Sequence, residues 1–592
     1  MTVIEARRRA GGGSLDCLFE PTSVAVVGAS DDPSRIGGRP LRYLIEAPFQ
    51  GAVYPVNPNR DRAQGLSCYA RVEDIGKPVD LAIVSVPARA VLESVAACAE
   101  CAVKAVILFS AGFAEVGENG LAAQQALTEI ADSTGLRILG PNCLGAYNAH
   151  IGFYGTFSTS LEFGFPQAGR VGVVSQSGAY GAYVALLARR QGVHVGYWVT
   201  TGNECDVHVA ECIAWMAQAP DIDVIAVYAE GVRDGRALLD ALELARANAK
   251  PVVFLKVGRS SIGAIAARSH TAALAGSDAV FDGIFAQTGV YRARDAGELL
   301  DAAYACSRGR RPVNDRVGIM TVSGGAGIQM ADDAQIFGLD VAPMPAPTQA
   351  ELKTLLPFAS ARNPVDVTAQ FFNRLELLPA FLDSMLSSGN YGTVVAFYTY
   401  VAAVESMAAP IADAVRAAVE KYPDRLMVLC IVGPPAVLCN YEAAGCLVFE
   451  DPTRAMRAAG VLNHFARAFE RNPELREAPP ASPPPKLPAD PLNECAAKQL
   501  MSRAGIPGVP ERLTLDLQDA QRAAAEIGYP VVLKLCGASL THKTEVGGVI
   551  LGVDSPGSLA RCYEDLLANA ERQGLRANID GILVARQMPG GV

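Results

Sequence analysis

Short apolar runs closed by Gly, Ser or Pro alternate with longer amphipathic segments from the start of the chain to about residue 460. The runs include 24–27, 81–86, 105–109, 171–174, 224–228 and 252–257. They are too short for core helices, rich in β-branched and aliphatic residues, and continuous rather than alternating. Strands buried on both faces read this way, because helices cover each side of a parallel sheet. The pattern therefore predicts an α/β chain with parallel sheets.

The chain also repeats itself. Arg170-Val171-Gly172 returns as Arg316-Val317-Gly318, Ser177-Gly178 as Ser323-Gly324, Gly181 as Gly327 and Gly192 as Gly338, always 146 residues later (316 − 170). Each copy reads strand, Ser-Gly turn, helix, which predicts two similar α/β domains in tandem. A further α/β unit precedes them, opening with Val24-Ala25-Val26-Val27-Gly28-Ala29-Ser30. After them comes a proline cluster, Ala478-Pro479-Pro480-Ala481-Ser482-Pro483-Pro484-Pro485, which can form neither helix nor central strand. The expected organisation is 15–150, 165–310 and 313–475, a Pro-rich linker at 476–492, and a fourth unit at 493–592. That matches the roughly four domains that 592 residues suggest at about 150 per domain.

Composition excludes several function classes. The net charge of −10, without a Lys/Arg-rich face, argues against nucleic acid as a partner. Arg7 to Arg9 lead into Ala and Gly rather than an apolar stretch, and no long uncharged run appears, so neither a signal peptide nor a membrane span is expected. The 14 cysteines are scattered; Cys98 and Cys101 have CxxC spacing but stand alone in an alanine-rich stretch. They read as reduced core residues of a cytoplasmic protein. A homo-oligomer is expected.

The strand ends are rich in turns that suit phosphate. Gly28, Ala29 and Ser30 close the first run, ahead of Ile36-Gly37-Gly38, in a dinucleotide-like turn that lacks a full GxGxxG. Further strand ends carry Asn57 and Pro58, Val86 and Pro87, and Gly140-Pro141-Asn142-Cys143-Leu144-Gly145. Such loops converge at the carboxyl edge of a doubly wound sheet and would form a groove for a nucleotide-bearing cofactor. No acidic residue stands at a ribose-binding position after the second strand, which counts against NAD. Ser177 and Gly178 begin a helix after a strand, where backbone N–H groups can hold phosphate. The surrounding residues do not form a GxSxG elbow, so a serine hydrolase is a poor reading.

Two of the six histidines stand among small and hydroxyl residues: His270 in Arg268-Ser269-His270-Thr271-Ala272, and His542 in Thr541-His542-Lys543-Thr544. An imidazole near neutral pH is a good phosphoryl acceptor, and such surroundings leave room for an oxyanion. Each could equally be a hydrogen-bonded loop histidine. Glu230, at a strand end, could fix an imidazole tautomer or simply favour a helix N-terminus.

Taken together, the segments VAVVGASDDPSRIGG, YPVNPN, GPNCLG, SQSGAYG, KVGRSSIGAIAARSHTAALAGSD, ARNPVDVTA and YPVVLKLCGASLTHKTEVGGVILGV, in this order, resemble the nucleoside-diphosphate-forming acyl-CoA synthetases. These are the acetate–CoA ligase (ADP-forming) family, relatives of succinyl-CoA synthetase. The resemblance implies a multidomain α/β fold: a CoA-binding Rossmann-like domain, two tandem flavodoxin-like (succinyl-CoA-ligase-like) domains and a partial ATP-grasp domain. It implies an acid–thiol ligase that interconverts acyl-CoA, ADP and phosphate with acid, CoA and ATP through acyl phosphate and phosphohistidine.

By the same resemblance His270 is the first phosphoryl acceptor, Glu230 orients it, and His542 is a second carrier. Ser177 and Gly178 cradle the phosphorylated ring, with Asn142 and Cys143 also at the phosphate. Gly28, Ala29, Ser30, Asn57, Pro58, Val86 and Pro87 meet CoA, and Lys534 meets nucleotide phosphate. The cofactors are CoA, ATP/ADP and Mg²⁺, with no metal ligand assigned in this chain. The family's SHTG reads Ser269-His270-Thr271-Ala272 here, and the metal-holding carboxylates are expected in a segment following Val592. The second repeat, 316–460, has no histidine and reads as a structural and interface domain. Two alternatives stay open: a non-catalytic CoA-binding or regulatory protein, and an NAD-dependent oxidoreductase.

Overall fold

The computed structural model describes residues 14–263, 265, 277–470, 488, 491–540 and 542–588. The chain divides into two compact units, 1–472 and 473–592. The linker expected at 476–492 lies largely outside the described residues.

The first sheet holds β1 (Ser23–Val27), β2 (Ala52–Val56), β3 (Leu81–Val84), β4 (Ala105–Leu108) and β5 (Arg137–Leu139), in the order β2-β1-β3-β4-β5. Every pair is parallel. Its apolar runs do not alternate because both faces are buried. Val24, Val26, Leu81 and Ile83 pack on one side, and Ala25, Val27, Ala82 and Val84 on the other.

The second sheet holds β6 (Gly145–Asn148), β7 (Phe153–Thr156), β8 (Val171–Ser175), β9 (Val195–Thr200), β10 (Val224–Ala229), β11 (Val252–Lys256) and β12 (Tyr291–Arg292). Its order is β12-β11-β10-β8-β9-β6-β7. The hairpin β6-β7 joins this sheet through β6, antiparallel to β9, so the boundary expected at residue 150 falls in the turn of that hairpin.

The third sheet holds β13 (Val317–Thr321), β14 (Val365–Asp366), β15 (Thr393–Thr399), β16 (Leu426–Ile431) and β17 (Leu447–Phe449), in the order β14-β13-β15-β16-β17. This is the parallel core β9-β8-β10-β11-β12 drawn a second time. The repeat seen in the sequence spans β8 with helix Gly178–Arg190 and β13 with helix Gly324–Ile336, each helix 13 residues long. The constant spacing then fails because helix Ala346–Leu355 intervenes before β14. Helices Ala296–Arg308 and Pro452–Glu470 pack between the two sheets, joined by Arg454 donating to both oxygens of Asp301 at 2.9 and 2.7 Å.

The unit 473–592 is built differently. Strands β18 (Glu511–Thr514), β19 (Val531–Cys536), β20 (Val549–Val553) and β21 (Gly581–Arg586) form an antiparallel sheet, β18-β21-β19-β20. Helices Leu517–Ile527 and Pro556–Arg572 contribute to its core. No helix among the described residues is long and apolar enough to cross a membrane.

Candidate active site

The carboxyl ends of β1, β2 and β3 meet through backbone. Gly28 has φ +85°, a conformation that favours glycine, and a Cβ there would lie 2.5 Å from the Ser85 carbonyl oxygen. Its N–H donates to Val56 at 2.9 Å, and the Asn57 amide donates to the Ala29 carbonyl at 2.8 Å. The structure thus brings Gly28, Ala29, Ser30, Asn57, Pro58, Val86 and Pro87 to one edge. Helix Arg39–Glu46 starts at the same edge, and its cap, Gly38, makes no side-chain hydrogen bond. A glycine turn at a helix start, lined by Asn and Pro loops, fits a pyrophosphate-bearing ligand such as CoA.

The loop after β5 joins this edge to the second sheet. The Leu144 N–H donates to the Thr200 hydroxyl at 2.8 Å, and Asn203 donates from its backbone to the Pro141 carbonyl at 2.9 Å. The Asn142 amide donates to the Asn203 side chain at 3.2 Å. Asn142 is half-buried in this loop. Cys143 is not available as a side chain: its thiol points inward to the Leu108 carbonyl at 3.3 Å, and burial pushes its pKa up to about 12. Beneath the loop, Arg137 binds Asp206 at 2.9 Å and Glu211 at 3.0 Å, with all three side chains about one-tenth exposed.

The next three strand ends, of β8, β10 and β11, deliver the candidate phosphoryl-transfer groups. Ser177 caps helix Gly178–Arg190, its hydroxyl accepting from the Tyr180 N–H. A Cβ at Gly178 would sit 2.9 Å from Leu144, so glycine lets the helix start approach the loop after β5. Glu230 is 7 % exposed at the end of β10. Gln176 fixes that turn, accepting from the N–H groups of Glu230 at 2.8 Å and Gly231 at 3.1 Å. Lys256 ends β11 fully buried, its ammonium 4.7 Å above the Phe281 ring and donating to the Val257 carbonyl. Burial pushes it below the usual lysine range. From this edge the chain enters 258–277, the segment that carries His270. His270 itself lies outside the described residues.

In the unit 473–592, Lys534 projects from β19 and donates to Glu494 at 3.0 Å. Lys543, in the loop between β19 and β20, donates to the other Glu494 oxygen. Lys498 donates to Glu494 and to Glu511, both at 2.7 Å. The three lysines hold the Glu494 carboxyl down to about 2, against the burial that would raise it. His542 is exposed on the same loop, with Nδ1 3.7 Å from Glu545.

The donor set does not fit Mg²⁺. Among the described residues no group of three His, Cys, Asp or Glu side chains could hold a cation. The carboxylate beside Lys534 is that of Glu494, and lysines already engage it.

Sequence reasoning overlooked Gln176, Lys256 and Glu494. Gln176 stood in view between the serines of the Ser-Gln-Ser-Gly turn, and Lys256 at the head of the segment leading to His270. Glu494 carries no motif; only its place after a helix-capping Asn493 marks it.

Residues 22–149 match the CoA binding domain family, residues 168–306 the succinyl-CoA ligase like flavodoxin domain, and residues 488–592 the ATP-grasp domain. The acetate–CoA ligase [ADP-forming] I of Archaeoglobus fulgidus is 33 % identical over 98 % of this chain and 83 % of its own length. A trans-feruloyl-CoA synthase, FCS1, from an unknown prokaryotic organism is 31 % identical over 98 % of this chain and 82 % of its own. Among solved structures, the acetyl-coenzyme A synthetase 1 of Ca. Korarchaeum cryptofilum in complex with phosphate and ADP is 30 % identical. It covers 77 % of this chain and 97 % of its own, with a TM-score of 0.69.

Proposed function

This chain belongs to the ADP-forming acetate–CoA ligase family and is an ADP-forming acyl-CoA synthetase; on that premise we propose which of its residues carry the chemistry. Relatives named as CoA ligases and synthases span nearly the whole chain, so neither the oxidoreductase nor the non-catalytic alternative is retained.

A phosphate oxygen attacks the thioester carbonyl of acyl-CoA held at the β1–β3 edge, and the CoA thiolate leaves. An unprotonated ring nitrogen of His270 then takes the phosphoryl group from the acyl phosphate, and the carboxylate leaves. Glu230 accepts a hydrogen bond from the N–H of the other ring nitrogen, which fixes the tautomer and stabilises the charged ring. The helix start at Ser177 and Gly178, with Asn142, faces the phosphoryl oxygens. The group then passes by way of His542 to an oxygen of the ADP β-phosphate, where Lys534 meets the phosphates. Run in reverse, the same steps make acyl-CoA.

One observation carries this reading. Ser177, Glu230 and the entry to the His270 segment leave three strand ends of one sheet, and Gln176 ties two of them together. The test is to treat the protein with acyl-CoA and radiolabelled phosphate and to map the label. Acid-labile, base-stable label at His270 supports it; full labelling of His270→Ala defeats it.

The acid is not set by family membership, since one relative is named for acetate and another for trans-ferulate. A panel of aliphatic and aryl acids read by CoA consumption defines it. Homo-oligomeric assembly and a cytoplasmic site of action belong to the same proposal, tested by sedimentation and by fractionation of the source cell.

A further inference from the structure

Three ammonium groups in one small site repel one another unless an anion stands between them. In the unit 473–592 that anion is Glu494, the first residue of helix Glu494–Arg503. Its two oxygens collect Lys498 from one turn further along that helix, Lys534 from the central strand β19, and Lys543 from the β19–β20 loop. Glu511 on β18 takes a second bond from Lys498, so that lysine is held from two sides. Each ammonium has three N–H donors. Lys534 and Lys543 each give one to Glu494, which leaves donors on both for a second anion.

These contacts also set the position of a loop. Lys543 follows His542 directly, and its side chain is the most buried of the three lysines, 14 % exposed against 28 % for Lys534 and 32 % for Lys498. The loop is further tied where the Gly548 N–H donates to the Lys543 carbonyl at 2.7 Å and the Asn569 amide donates to the Val546 carbonyl at 2.6 Å. The His542 imidazole is left exposed on a segment anchored by the residue next to it.

We propose that Glu494 is a positioning residue of the nucleotide phosphate cradle: it sets Lys534 and Lys543 side by side for the phosphates and docks the loop that presents His542. The inference rests on the reading that Lys534 meets nucleotide phosphate. A lysine stem is flexible and loses much rotamer freedom when it is fixed, so ordering two of them before the ligand arrives removes that cost from binding. The carboxylate stays in place when phosphate binds, because it uses only one donor of each ammonium.

The test measures binding of ADP and of adenosine to the full chain, together with hydrogen exchange of residues 537–548. Glu494→Gln should weaken ADP about tenfold, the scale of a lost charge-assisted contact, and leave adenosine and CoA affinity unchanged. Exchange in 537–548 should quicken by more than that of β21. Lys543→Met, which removes the loop's tie together with one of the two phosphate-facing ammonium groups, should show the same pattern should Glu494→Gln fold poorly. Unchanged ADP affinity overturns the proposal. Tighter ADP binding by Glu494→Gln also overturns it, since the carboxylate would then compete with phosphate rather than prepare for it. Failure of the underlying reading looks different: Lys534→Met binds ADP as well as the unsubstituted chain, or the unsubstituted chain binds adenosine and ADP equally.

Discussion

The side-chain oxygen of Gln176 accepts a hydrogen bond from the backbone N–H of Glu230 at 2.8 Å. The two residues follow neighbouring parallel strands, β8 and β10, paired at Ser175 and Tyr228. The acid at the candidate phosphoryl-transfer site is therefore placed from the adjacent strand, through its backbone, by the side-chain amide of Gln176.

Gln176→Leu should uncouple that placement. Two backbone N–H groups, of Glu230 and Gly231, lose their acceptor in a buried setting. An unsatisfied buried donor costs about 1–3 kcal/mol. Urea unfolding should show a loss in that range, and phosphohistidine formation should slow even where the protein is fully folded.

Glu230→Gln keeps the side chain's shape and its backbone bonds but removes the charge. Labelling of His270 should weaken, with little change in the unfolding midpoint. A large fall in stability together with normal labelling would assign Glu230 a purely structural role.

Gly28→Ala should damage CoA binding by a steric route. The residue has φ +85°, and the new Cβ would lie 2.5 Å from the Ser85 carbonyl oxygen. A strained backbone of this kind costs about 1–3 kcal/mol. In the unsubstituted protein, CoA at a hundredfold excess over Kd should stabilise the fold by about 2.7 kcal/mol, and NAD should give no shift. The variant should lose the CoA shift.

Arg137→Met should be costly at a distance from the chemistry. It would leave Asp206 and Glu211 as buried carboxylates without their shared cation. Breaking a buried pair in this way costs about 3–5 kcal/mol. Equilibrium unfolding monitored by intrinsic fluorescence checks this, since Trp215 lies on the helix that carries Glu211.

The unit 473–592 should lose stability in acid through Glu494. Its folded carboxyl is held at about 2, below the ordinary 4.5. The unfolded state therefore binds the proton first, so the contribution is complete above about pH 4.5 and is lost as pH falls toward about 2. Hydrogen exchange of β19 and β21 measured across this window should show the decline, and Glu494→Gln should flatten it.

The layered architecture and the tandem repeat are legible in the amino-acid sequence. Unbroken β-branched runs require strands buried on both faces, and the copy beginning at Arg316 places the same strand, turn and helix as that at Arg170. Gly28, Ser177 and Gly178 were also legible, because a turn at a strand end and a helix start impose their residue types locally. What joins those turns was not. Gln176 meets Glu230 across 54 residues, and Glu494 meets Lys534 and Lys543 across 40 and 49. The inward turn of the Cys143 thiol and the pairing of β6 with β9 were equally hidden. Periodicity and turn chemistry act over a few residues, whereas these partnerships depend on strand register and on which loops are packed against each other. Only the folded chain sets those.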